Sequence, residues 1–179
     1  KRQALRLARN GLWSPAFPLI EPLRKNLIDK SKWSKKAQAQ FDLIKFHANI
    51  TEAQAIASWA SPSQKVLAGL IDGRWQESLN VFENNWSSTY DIAKLLQNDT
   101  GRIRKRVDAT IKVNRGEINA IAWGTLIIAS QKGRRRAMLW LNRKPKTSKE
   151  AKERIEKLLD KLDAAFAEEE NIQGHKIQR

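Results

Sequence analysis

A mainly α-helical fold carrying one small β-hairpin is what this sequence predicts, and three observations carry the expectation. Apolar residues recur at spacings of three and four through most of the chain, as they do in helices that bury one face. Turn and cap formers sit between those stretches, at Ser61-Pro62-Ser63, Asp72-Gly73 and Asn98-Asp99-Thr100-Gly101. The periodicity lapses between Glu117 and Leu141, where the apolar runs Thr125 to Ala129 and Ala137 to Leu141 flank Gln131-Lys132-Gly133 and read as two strands with a basic tip.

Residues 1–60 form an N-terminal arm and helical extension. Lys1 to Asn10 has helical propensity and a basic face, but Gly11, Pro15, Pro18 and Pro22 predict an ordered arm after it in place of a long helix. Trp13, Phe17, Leu19 and Ile20 make that arm too apolar for a linker, so it should lie on the body or on a partner. Ala37, Phe41, Ile44 and Ala48 define a helix starting at Ser34, and Thr51 is placed to cap a further short helix to about Ala60.

Residues 61–146 are the central unit. Val66, Leu67, Leu70 and Ile71 mark a helix ending at Asp72-Gly73, and Trp75, Leu79 and Phe82 mark the next. Ser88 with Asp91 opens a short helix through Ile92, Leu95 and Leu96. After the Asn98 to Gly101 turn, Ile103, Val107 and Ile111 repeat every four residues along a second one. Glu117 to Trp123 reads as a strand leading into the hairpin. Residues 147–179 follow the basic stretch Asn142 to Lys146; Thr147 and Glu150 predict a capping box and a long helix to about Glu169, with a frayed basic tail from Asn171.

Two short helices across a tight turn, then a hairpin tipped by Arg134-Arg135-Arg136, resemble the winged helix-turn-helix superfamily. The resemblance spans Ser88 to Leu141, about a third of the chain. It implies a winged helix-turn-helix preceded by a helical N-terminal extension and followed by a long C-terminal helix. The helix from Thr100 to Lys112 would enter a major groove, and the hairpin would be the wing.

Charge points the same way. A net charge of +15 and a pI near 10.3 exceed what solubility requires and call for a polyanionic partner. With Ile103, Val107 and Ile111 inward, Gly101, Arg102, Lys105, Ala109 and Lys112 fall on the opposite face. Arg102 and Lys105 are then placed for base edges, and Arg104, Arg106 and Lys112 for phosphates. Lys132, Arg134, Arg135 and Arg136 would reach a flanking minor groove or backbone. Duplex DNA is favoured over RNA, because Trp86, Trp123 and Trp140 alternate with apolar neighbours and read as core, not as base-stacking platforms. A regulatory, replication-initiation or mobile-element role would fit. The other readings are an RNA-binding or ribonucleoprotein component, and a protein-interaction adaptor built on the seven Trp and the Gly11 to Pro22 arm.

Other chemistry finds little support. There is no Cys, the two histidines His47 and His175 lie far apart, and no glycine-rich phosphate loop is present, so neither an enzyme nor a cofactor or metal is expected. Tyr90 as a nucleophile lacks a base beside it. Asp29, Asp42, Asp72 and Asp91 could hold magnesium only if the fold gathered them. No apolar run approaches the roughly 20 residues that span a bilayer, so a cytoplasmic or nucleoid-associated protein without membrane contact is expected. In the last helix Ile155, Leu158 and Leu162 suit either a homodimer seam or docking on the chain's own core with Leu159 and Phe166; membership of a larger assembly is the further option.

Overall fold

The computed structural model describes residues 1–27, 32–144 and 146–177, with side chains through residue 169. Among the described residues there is no strand; the chain is a succession of α-helices. These are α1 (Arg2–Arg9), α2 (Trp13–Lys25), α3 (Lys35–Ile56), α4 (Pro62–Asp72) and α5 (Trp75–Asn84). A 3-10 turn (Trp86–Ser88) leads to α6 (Thr89–Gln97), α7 (Arg102–Val113), α8 (Ile118–Lys132), α9 (Arg134–Asn142) and α10 (Lys149–Ile177).

The predicted wing does not exist. Glu117 to Trp123 and Thr125 to Ala129 belong to the single helix α8, and Ala137 to Leu141 to α9. Every residue from Ala120 to Ser130 is buried, so α8 has no polar face to show a helical period, and a helix that is apolar all round mimics buried strands. Gly124 looks like a break between two strands, yet it is the point where the Trp140 ring lies against α8. The supposed hairpin tip is a one-residue corner. Gly133, at φ +81°, ends α8 and begins α9, and the left-handed region is one that only glycine enters cheaply.

Helices α5, α6, α7, α9 and α10 surround α8, and α1 to α4 pack as a second layer onto α5, α6 and α7. Buried apolar residues from Ala4 to Leu162 form one continuous core. Trp123 sits at its centre, where its indole N–H donates to the Trp75 carbonyl at 3.0 Å and its ring meets Phe82 edge-on. Ile155, Leu158 and Leu162 are buried in this core together with Leu159, and α10 packs on α6 and α8. The α10 stripe is therefore filled by the chain itself and is not a free dimer seam. Ser148, one residue after the predicted cap, accepts from the Ala151 N–H at 3.2 Å, and the helix backbone continues past Glu169 through the predicted frayed tail to Ile177.

The arm after Gly11 is also helical. Pro18 and Pro22 both lie inside α2. Four residues apart, they share one exposed face, so the carbonyls left without an N–H donor, those of Ser14 and Pro18, open to water. Apolar burial of Leu12, Ala16 and Ile20, with Trp13 stacked on His47 and Phe17 beside Phe41, outweighs the lost bonds. Thr51 caps nothing: it lies inside α3, where its hydroxyl donates back to the His47 carbonyl at 3.1 Å. Ser34 and Ser61 do act as caps, Ser61 in a reciprocal capping box with Gln64.

Candidate nucleic-acid interface

The turn between α6 and α7 is locked from two sides. Gly101 takes φ +95°, which folds Asp99 back so that its carboxylate accepts from the backbone N–H groups of Ile103 and Arg104 at 3.1 and 3.2 Å. From the end of α8, the Gln131 amide donates to the carbonyls of Leu96 and Asp99 at 3.0 and 2.9 Å, satisfying the last turn of α6. The start of α7 is thereby held rigidly against α8.

Ile103, Val107 and Ile111 face the core, as their spacing predicts, and Arg102, Lys105 and Lys112 are exposed. Ala109 is not on the open face; it is buried, with α1 packed on α7. The remaining cations of α7 have structural partners. Arg106 is half-buried beside Gly11 and donates to the carbonyls of Ile71 and Arg102, both at 3.2 Å. Burial first, and then the neighbouring Arg102, lower its pKa. Arg104 pairs with Asp108 at 3.2 Å and lies over the Trp140 ring, 4.8 Å from its centroid.

The residues predicted for the wing divide. Arg134 turns to α10 and forms ion pairs with Asp163 at 2.7 Å and Asp160 at 2.8 Å. The hydrogen bond to Asp163 is the largest influence raising its pKa, and these two carboxylates offset a cation at the start of α9, where the helix dipole disfavours it. Lys132, Arg135 and Arg136 stay exposed.

Two grooves collect Lys105, Lys112, Lys132 and Arg136; Arg102 instead borders a separate groove with Asp99 and Ile103, and Arg135 lines neither of the two. One, of about 480 Å³, runs between α1 and α7 and is lined by Arg6, Asn10, Lys105 and Lys112. The other, of about 500 Å³, lies among α7, α8 and α9 and is lined by Arg104, Lys132, Arg136 and Arg143. Asp108 lines both, so the two form one basic tract across four helices. Trp140 floors the second groove: its ring is seated against Gly124 and carries Arg104 and the Lys144 ammonium, the latter 4.0 Å from the centroid. Burial, then the positive charge of Arg104, lower the Lys144 pKa against the pull of Asp108.

Arg6, Arg143 and Lys144 are absent from the sequence-predicted set. Their basic segments are visible in the chain, but nothing in the order of residues says that α1 and the end of α9 border α7. Among the described residues, the carboxylates suspected of holding magnesium are not brought together. Asp29 lies outside the described residues, and Asp42 and Asp91 sit on α3 and α6. Asp72 is buried between Ser14 and Arg74. Among the described residues no three His, Cys, Asp or Glu side chains are grouped to hold a metal, and no helix is long and apolar enough to cross a membrane. Comparison with known proteins finds no family model, no curated relative and no solved structure that matches this chain.

Proposed function

We propose that this chain binds double-stranded DNA through the basic tract, chiefly by phosphate contacts. The observation that carries the reading is the convergence of cations from α1, α7, α8 and α9 on two grooves that meet at Asp108. Like charges gathered this way repel one another, and a polyanion relieves that repulsion while releasing its counterions. A duplex suits the tract better than single strands because its one large aromatic is unavailable for base stacking: Trp140 is pressed on Gly124 and covered by Arg104 and Lys144. With α1 packed beside it, α7 is one wall of a basic face and does not protrude as a free recognition helix. Lys105 and Lys112 then meet backbone more readily than base edges, and binding tolerates many sequences.

Fluorescence anisotropy with a labelled duplex, titrated across a salt series, tests this. Affinity should fall linearly on logarithmic axes, with a slope of about −0.9 for each phosphate neutralised. Replacing Lys105, Lys112 and Arg136 together with Ala should flatten the slope by up to about 3 and weaken all duplexes alike. A salt-independent signal, or single-stranded RNA bound as tightly as duplex DNA, would overturn the proposal.

A further inference from the structure

Helix α3 is apolar on two opposite sides. Ala37, Phe41, Ile44, Ala48 and Ala55 face the core. On the far side Ala39, Leu43, Phe46, Ile50 and Ala53 stand in solvent, with Leu43 52 %, Phe46 61 % and Ile50 40 % exposed. Their spacing of four, three, four and three is the 3.5-residue repeat that turns a constant apolar seam toward a neighbouring helix. A helix apolar on two opposite sides ordinarily has both of them covered.

We infer that a second copy of this chain covers that face, the two α3 helices lying antiparallel about a twofold axis at Phe46. The order of side chains along the seam carries the choice of occupant. Small, branched, aromatic, branched, small reads the same in both directions, so a copy turned about a twofold axis meets like with like in size. The seam is self-complementary, as an isologous interface requires. Antiparallel pairing places Phe46 on its own copy, Leu43 on Ile50 and Ala39 on Ala53, so the bulk is central and the alanines let the helix ends close. Charge agrees. Between Ala39 and Ala53 the helix carries one cation, Lys45, and two anions, Asp42 and the Glu52 that pairs with Arg74 at 3.1 Å, so this face is near neutral in a chain of net +15. Two strongly basic molecules can therefore meet on this face without local repulsion, and a polyanion has no reason to occupy it. On the flank Asp42 of one copy would lie near Asn49 of the other, a carboxylate against an amide. The seam is about 21 Å long at 1.5 Å per residue, which sets a weak, concentration-dependent dimer.

The inference rests on α3 alone and is tested without nucleic acid. Sedimentation equilibrium of the chain from about 1 to 500 μM should show a monomer–dimer equilibrium. Phe46→Glu should abolish the dimer with an unchanged helical circular dichroism signal, whereas Leu139→Glu, on the exposed face of α9, should leave it intact. The chain has no Cys, so single-cysteine variants report the geometry cleanly. With a short bis-maleimide, Phe46→Cys should cross-link to itself, and Ala39→Cys should cross-link to Ala53→Cys when the two are mixed but not to itself. A monomer throughout, a dimer indifferent to Phe46→Glu, or self-cross-linking of Ala39→Cys would each overturn it.

Discussion

At Gly124 the joint between α8, α7 and α9 depends on a missing methyl group. A Cβ there would stand 2.5 Å from Trp140 Cη2 and 3.1 Å from Val107 Cγ1, both in well-packed side chains. Gly124→Ala should destabilise the fold by about 1–3 kcal/mol, the usual range for overpacking a filled core, measured by urea denaturation. The same displacement would move the ring that supports Arg104 and Lys144, so duplex affinity should fall as well, although no charge has been removed. Unaltered stability would mean that Trp140 is loosely held and does not shape the groove.

At the scale of the helix, two substitution pairs separate packing from surface charge. Arg134 is tied to Asp160 and Asp163, so Arg134→Ala should loosen α9 from α10 and lower stability by up to about 1 kcal/mol, as partly exposed pairs do, with little loss of DNA binding. Arg135→Ala with Arg136→Ala should do the reverse: the melting temperature stays, and affinity for every duplex drops. Along α7, Val107→Asp would put an unpaired carboxylate into a site that is 0 % exposed and should unfold the domain, whereas Lys105→Ala should leave thermal unfolding unchanged. Thermal melts followed by circular dichroism check both. Lys105→Ala destabilising the chain while Val107→Asp is tolerated would mean that α7 is rotated from the orientation given above.

Across the whole molecule, the basic tract and the apolar seam of α3 occupy different helices. The two grooves draw their cations from α1, α7, α8 and α9, while the uncovered apolar seam runs along α3. Such a division lets one face meet an anionic polymer while the other meets protein, and it predicts different salt responses. DNA binding should weaken steeply as salt rises, whereas association through α3 should be nearly indifferent to it, because apolar burial is not screened.

How much of this could be read from residue order follows from what shapes each element. Amphipathic helices announce themselves. The inward set Ile103, Val107 and Ile111, the helix from Val66 to Ile71 ending at Gly73, and the helix starts at Ser34 and Ser61 depend only on local periodicity and local hydrogen bonds, so residue order suffices to place them. Elsewhere the packed surroundings override local preference. The run from Ile118 to Lys132 is a helix because neighbours surround it and hide its period, and Pro18 and Pro22 are admitted to α2 because that helix is anchored on its other face. The same holds for the cations. Arg102 to Arg106 are nearly uniform as sequence, and yet Arg106 is enclosed, Arg104 is paired and Lys105 is free, because solvent access and the nearest carboxylate are set by residues distant in the chain.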